Sequence, residues 1–98
     1  MRVKILSVAE RDLEEGYRFY ESQSPGLGSY FLDSLFSDID SLAFFGGIHP
    51  VVFGYHRQLS LRFPFAVYYK TVGKEIIVFA VLDCRKNPSW IRERLMDG

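Results

Sequence analysis

The sequence predicts an α+β protein in which one antiparallel-rich, four-stranded sheet packs on a helical hairpin. Three observations support this prediction. Two segments with apolar residues at helical spacing occupy the first half of the 98-residue chain, a short alternating segment precedes them, and three strand-like segments follow. The predicted order of elements is therefore β-α-α-β-β-β-α, and we expect residues 1–98 to form a single domain around one core.

The opening residues predict the first strand and the first helix. Val3 and Ile5 alternate with cationic residues, as in a half-buried strand at or near the edge of a sheet. Ser7 followed by Glu10 has the spacing of a capping box, so we expect a helix from about Val8. The apolar stripe of this helix has steps of four and three residues and consists of Ala9, Leu13, Tyr17 and Tyr20.

The second helix is predicted from about Leu27 to Phe45. Gly46 and Gly47 end it, because glycine takes the left-handed conformation beyond a helix end without steric cost. Two consecutive helices joined by a short turn form an antiparallel hairpin. The apolar stripe of the second helix consists of Leu27, Phe31, Leu35, Ile39 and Leu42.

Strand patterns replace helical patterns in the second half of the chain. Residues 57–63 alternate, which predicts that Leu59 faces the helices and that Gln58 faces solvent. Pro64 has no amide hydrogen for a strand ladder, so we place it in a turn before the aromatic-rich strand that follows. Gly73 then marks a hairpin into the last strand.

The last strand is predicted from residues 75–82, and a short closing helix is predicted from residues 87–95. Residues 75–82 are apolar on both sides, so this strand is expected in the interior of the sheet. Asn87 has the chemistry of an amino-terminal cap, and Pro88 suits the first position of a short helix. We expect Trp90 to hold that helix against the sheet.

Composition and charge exclude several classes of protein. No apolar run approaches the ~18 residues that cross a bilayer, and the amino terminus lacks a signal-peptide core, so a cytoplasmic protein without membrane contact is expected. One cysteine and two histidines argue against disulfides, metal sites and cofactors. The formal net charge is zero, but residues 1–48 carry −4 and residues 49–98 carry +4. This asymmetry predicts an acidic face and a basic face, or else solvated surface charge alone.

Cations of the second half predict a surface that binds an anion or a target macromolecule. They lie at the starts or ends of strands that we expect to be neighbours, so their side chains are expected to converge. In the alternative, Arg85 and Asp83 pair with surface partners and hold nothing. The cations in question are Arg57, Arg62, Arg85 and Lys86.

Other candidate residues each have a structural alternative. Tyr68 and Tyr69 are adjacent and point to opposite faces of the sheet, so one is expected in the core and the other, assigned as Tyr69, at the target surface. Cys84 precedes two cations that could activate its thiol, or it is a small packing residue. The two histidines are expected at the surface and not as an acid–base pair.

Three segments of the sequence resemble the RelE/ParE superfamily of toxins from bacterial type II toxin–antitoxin modules, often named plasmid stabilisation proteins. The order of predicted elements agrees with that family over nearly the whole chain. The segments are AERDLEEGYRFY at 9–20, RQLSLRFPFAVYY at 57–69, and IIVFAVLDCRKNPSWIRERL at 76–95.

The resemblance implies a small toxin that inhibits growth and is neutralised by a cognate antitoxin, whose carboxy-terminal segment wraps across the sheet and helices. ParE-like members poison DNA gyrase, whereas RelE-like members cut messenger RNA in the ribosome. A degenerate relative without toxicity is a third possibility. A homodimer is compatible with all three possibilities.

The resemblance also implies roles for particular residues. In the nuclease branch, cationic side chains on the second and third strands hold the phosphate, and the matching places here are Gln58, Ser60 and Ala66. None of these side chains can do so. The basic turn Arg85–Lys86 matches the nuclease branch, and Trp90 stands where a functional tyrosine would be. We therefore expect a ParE-like binding toxin, and if the chain is an endoribonuclease its catalytic candidates are Arg62, Arg85 and Lys86.

Overall fold

The computed structural model describes residues 1–97, which form three helices and one five-stranded sheet. No helix within this range combines the length and the hydropathy of a membrane span. In chain order the elements are β1 (Arg2–Ile5), α1 (Ser7–Gln23), α2 (Leu27–Phe45), β2 (Val51–Val52), β3 (Tyr55–Leu59), β4 (Phe65–Val72), β5 (Glu75–Asp83) and α3 (Pro88–Met96).

The strands are arranged in the order β1-β5-β4-β3-β2. β1 is parallel to β5, and the other neighbours are antiparallel. The predicted α+β class, the edge position of the first strand and the interior position of the last strand are confirmed. The predicted count of four strands is wrong, because β2 adds a fifth.

A tight hairpin joins β2 to β3 and explains why the extra strand was missed. Val52 pairs with Tyr55, so only Phe53 and Gly54 form the loop. Both loop residues have positive φ, 53° for Phe53 and 85° for Gly54, as a two-residue hairpin of the mirror-image type requires. Asparagine or glycine usually occupies the first of these positions, and a phenylalanine there carries no turn signal.

A β-bulge interrupts the pairing of β4 with β5. Tyr69 lies opposite Val78 and Tyr68 lies opposite Ala80, so Phe79 is an additional residue without a partner in β4. Val78 therefore faces one side of the sheet, and Ala80 faces the other although the two residues are two positions apart.

Apolar residues cover both faces of the sheet. The helical hairpin packs on one face, in a cluster formed by Ala9, Leu13, Tyr20, Phe31, Leu35, Ile39, Leu42, Phe65, Val67, Tyr69, Ile76, Val78 and Val81. α3 packs on the other face, in a smaller cluster formed by Tyr55, Ala66, Tyr68, Ala80, Leu82, Ile91 and Leu95. Because the interior strands β4 and β5 contribute to both clusters, each layer depends on them.

Close contacts at the turn fix the helical hairpin. Gly16 of α1 is buried against the ring of Phe31 in α2, and a Cβ at position 16 would overlap that ring. Glu21, near the end of α1, caps the start of α2 by accepting hydrogen bonds from the amides of Gly26 at 3.1 Å and Gly28 at 3.0 Å. A carboxylate in this position satisfies free amides and favours the positive end of the helix dipole.

The predicted capping box of the first helix does not form. Leu6 is the residue before the helix, and its carbonyl accepts hydrogen bonds from the amides of Ala9 and Glu10. The Leu6 amide itself donates to Val78 in β5. Because strand runs directly into helix at this point, Ser7 already lies inside the first turn and its hydroxyl makes no cap.

The predicted facing of β3 is wrong. Gln58 is 7% exposed and faces α2, whereas Leu59 is 56% exposed. The strand ends at Leu59, four residues earlier than the alternation suggests, and an irregular segment carries Phe63 back to the helical face. Tyr55 sets this phase, because its side chain is buried beneath α3 and its hydroxyl donates to the carbonyl of Leu95 at 3.0 Å.

The left-handed Phe53 predicts a stabilising substitution. Phe53→Asn should raise the free energy of unfolding by about 1 kcal/mol, because asparagine tolerates positive φ with less steric cost. Urea denaturation measures the change. Phe53→Ala is the matched control, since it removes the same ring and retains the strain, and it should not stabilise. Equal destabilisation by both variants would contradict this account.

Candidate functional site

A groove of about 240 Å³ lies between α1 and α3, at the end of β5. It exists because β1 ends at Ile5, opposite Val78, so the last residues of β5 have no neighbouring strand on that side. The groove is lined by Asp12, Glu15, Gly16, Phe19, Phe65, Val81, Leu82, Asp83, Lys86 and Trp90.

Two of the predicted site residues, Lys86 and Trp90, meet on one wall of the groove. The Lys86 ammonium lies 5.2 Å from the centre of the Trp90 ring, within range of a cation–π interaction. The start of α3 holds this geometry, because the Asn87 side chain accepts the Ser89 amide at 2.9 Å and Pro88 occupies the first turn, as predicted. Trp90 is nevertheless 43% exposed. The expectation that it holds α3 against the sheet is wrong, since Ile91 and Leu95 do so.

Arg85 forms hydrogen bonds within its own turn. Its guanidinium donates to both carboxylate oxygens of Asp83, at 3.0 and 2.8 Å, and its amide donates to the same carboxylate. These hydrogen bonds hold the pKa of Asp83 below its usual value. A further contact of 3.5 Å joins Arg85 to the hydroxyl of Tyr20. Arg85 and Asp83 therefore pair with each other within the turn.

Asp12 links three elements at the floor of the groove. Its carboxylate accepts the amide of Val81 at 3.0 Å, in the part of β5 that β1 does not reach, and two hydrogen bonds of 2.8 Å from Arg94 in α3. Burial raises the pKa of Asp12 to about 6, although Val81 and Arg94 both favour the charged form. Asp12 thus satisfies an open strand edge and anchors α3 to α1.

The four predicted cations do not form one cluster. Arg62 lies 6.0 Å from the ring centre of Tyr30, at the start of α2. Arg57 lies on the α3 face of the sheet, where it pairs across the strands with Tyr68. Arg85 and Lys86 have the neighbours described above. The expected convergence at the strand ends is not observed, because these side chains have separate neighbours and Arg57 lies on the α3 face.

The two adjacent tyrosines are both buried, so the expectation that Tyr69 is exposed at a target surface is wrong. Tyr68 is 2% and Tyr69 is 0% exposed, because α3 covers the face that would otherwise meet solvent. The hydroxyl of Tyr69 accepts the Gly47 amide at 2.9 Å and hydrogen-bonds His49. The ring of His56 stacks on the ring of Tyr69. The pKa of His49 is lowered, mainly by burial and to a smaller extent by the proximity of His56.

Cys84 is exposed, so the alternative in which it is a small packing residue is wrong. Partial desolvation of the thiol by its neighbours nevertheless raises the pKa of Cys84, with Arg57 acting in the opposite direction. A raised pKa lowers the fraction of nucleophilic thiolate, which argues against the alternative of an activated cysteine. Among residues 1–97, no group of three potential ligand side chains could hold a metal ion.

The three positions matched to the nuclease branch have structural roles. Gln58 donates to the carbonyl of Asp38 at 2.8 Å and to the hydroxyl of Ser41 at 3.1 Å. Ser60 donates to the carboxylate of Asp38 at 2.7 Å. Ala66 is completely buried beneath α3. None of them presents a donor to a bound phosphate.

The groove offers aromatic surface, one free ammonium and several carboxylates, a set that suits contact with a polypeptide. Reasoning from sequence missed the contribution of α1, namely Asp12, Glu15 and Phe19. Their spacing of three and four residues places them on one stripe beside the apolar one, which was the available signal.

The raised pKa of Asp12 predicts a pH dependence of stability. Between pH of about 4 and 6 the folded protein retains a proton that the unfolded chain has lost, so stability falls as pH rises through this window. Urea denaturation at pH 4, 5, 6 and 7 measures the free energy of unfolding of both proteins. The value for wild type should fall with rising pH relative to the value for Asp12→Asn, because asparagine at position 12 does not titrate.

His49 is present in both proteins, so its titration cancels in the difference between wild type and Asp12→Asn. A difference that stays constant across the window, or that grows in favour of wild type, would contradict the assignment.

Comparison with known proteins bears on the fold. No family model and no curated protein sequence matches the chain. Among solved structures, the chain is similar to one described as the chromosomal ParDE TA system from P. aeruginosa, with a TM-score of 0.72 and 24% sequence identity. The match covers 83% of this chain and 92% of that chain. At this identity the likeness establishes architecture, and the predicted RelE/ParE-like fold is confirmed.

Proposed function

We propose that this chain is the toxin component of a type II toxin–antitoxin module, and that it inhibits growth by binding DNA gyrase without catalysis. The observation that carries the second half of this proposal is the structural use of Gln58, Ser60 and Ala66, the places where the nuclease branch handles phosphate. The proposed site of action is the cytoplasm, where both gyrase and ribosomes are found.

The state of the remaining cations also supports binding over RNA cleavage. The charge of Arg85 is compensated by Asp83, and Arg62 lies against Tyr30. Stabilising a pentacovalent phosphate requires several preorganised donors, each contributing about 3 kcal/mol to the transition state. Lys86 alone would leave a cleavage reaction without most of that stabilisation.

The groove beside β5 is the proposed contact with the target. Trp90 and Phe19 are 43% and 50% exposed on its walls, and exposed aromatic residues near a cation are typical anchors of protein interfaces. Lys86 stands over Trp90 and is free to meet an acidic side chain of the target. We assign Lys86 and Trp90 as target-binding residues.

The purified protein should inhibit DNA supercoiling by gyrase and leave ribosome-bound message intact. Lys86→Ala and Trp90→Ala should each weaken the inhibition by about tenfold or more, because each removes an anchor of the interface. Arg92→Ala is the matched control, since it removes one exposed cation from α3, the helix of Trp90, and should change inhibition by less than about twofold.

Supercoiling that continues at high protein concentration would exclude gyrase as the target. Message cleavage that Arg85→Ala abolishes would establish the RelE-like endoribonuclease instead. Harmless induction in cells would indicate a degenerate relative that has lost toxicity.

A cognate antitoxin is the second proposed partner. Genes of such modules often lie side by side, so the neighbouring reading frame should encode a small acidic DNA-binding protein. Its co-expression should restore the growth of induced cells, measured as colony counts, and should yield a complex that copurifies with this chain. Growth arrest that persists despite co-expression would argue against that neighbour as the antitoxin.

A further inference from the structure

A second cavity, which we term the polar cleft, lies between the second half of α2 and the β2–β3 region. It encloses about 530 Å³ and shares no lining residue with the groove beside β5. Its lining consists of Ser37, Asp38, Ser41, Phe45, His49, Pro50, Arg57, Gln58, Leu59 and Leu61.

The floor of the polar cleft holds a buried carboxylate without a counter-charge. Asp38 is 7% exposed, and the only side chain that donates to its carboxylate within residues 1–97 is Ser60, through its hydroxyl at 2.7 Å. The ion pairs in that range involve other carboxylates. A buried charge is usually paired, so this carboxylate favours a cation from outside the chain.

Beside it lies a buried carbonyl oxygen without a donor. Gln58 is 7% exposed, and its side-chain nitrogen donates to the carbonyl of Asp38 and to the hydroxyl of Ser41. These two contacts fix the orientation of the amide, because the opposite orientation would place two carbonyl oxygens against each other. The side-chain oxygen of Gln58 then has no donor among the described residues.

The walls of the cleft are apolar and face solvent. Phe45, Leu59 and Leu61 are 58%, 56% and 88% exposed, which is unusual for residues of this size grouped around one cavity. An occupant that fits both floor and walls therefore has a positive charge with several donors at the end of an aliphatic stem. The guanidinium of arginine has that form, with five donors in a planar fork.

The cationic residues of the lining leave the floor free for such an occupant. The guanidinium of Arg57 lies on the other face of the sheet, beside Tyr68. Burial lowers the pKa of His49, so its ring is neutral at pH 7 and does not repel a cation.

We propose that the polar cleft binds an arginine side chain of a partner polypeptide. The guanidinium contacts Asp38 and Gln58. The residues that flank this arginine in the partner are apolar and contact Leu59 and Leu61. The partner segment thus carries an arginine flanked by aliphatic residues. This site is independent of the groove assigned to the target and holds whether or not the chain is toxic.

The test is titration of the ¹⁵N-labelled protein with the peptide acetyl-Leu-Arg-Leu-amide, followed by NMR. The side-chain amide of Gln58 and the backbone amides of Ser41 and Ser60 should shift together. The same peptide with citrulline, which is neutral and nearly isosteric with arginine, should have an affinity at least about tenfold lower. Asp38→Asn should weaken the arginine peptide to a similar extent, and Asp33→Asn, an exposed carboxylate of the same helix, should not.

A second pair of variants keeps the test decisive if Asp38→Asn fails to fold. Leu61 is 88% exposed, so Leu61→Lys should fold normally and repel the arginine peptide, with binding weakened several-fold relative to Leu61→Gln. Equal binding of the citrulline peptide, equal binding by Leu61→Lys and Leu61→Gln, or no shift at the cleft up to about 10 mM peptide would overturn the proposal.

Discussion

The interior strand β5 is apolar on both faces and must be covered on both, and this constraint organises the molecule. The helical hairpin covers one face and the short α3 covers the other. Because β1 is only four residues long, it pairs with the first part of β5 and leaves the remainder without a neighbouring strand. The groove, the anchor of α3 and the exposed basic turn all lie at this uncovered end.

Asp12 turns that open end into an ordered site. One carboxylate satisfies the free amide of Val81 and holds Arg94, so a strand edge and two helices depend on the same group. A buried ion pair of this kind contributes little net stability by itself, but it fixes which surfaces adjoin one another. The arrangement of Lys86 and Trp90 beside the groove follows from it.

Local signals predicted the elements well, and long-range register limited the prediction of the site. The bounds of α2 and the Asn87–Pro88 start of α3 follow from spacing and capping within a few residues, and both are observed as expected. The facing of β3 depends instead on Tyr55, which lies outside the alternating residues 57–63, and on its contact with α3, which is distant in the chain. An error of one residue there reversed the predicted facing of Gln58 and Leu59.

The bulge at Phe79 decides on which side of the sheet the end of β5 presents its side chains. Without the extra residue, the alternation along β5 would direct Asp83 towards α3 and Cys84 towards the helical hairpin. A change of one residue in the length of this strand would therefore carry the whole charged turn to the opposite surface of the protein, with every side chain of that turn unchanged. In this architecture, strand length is as effective as substitution in moving a binding surface.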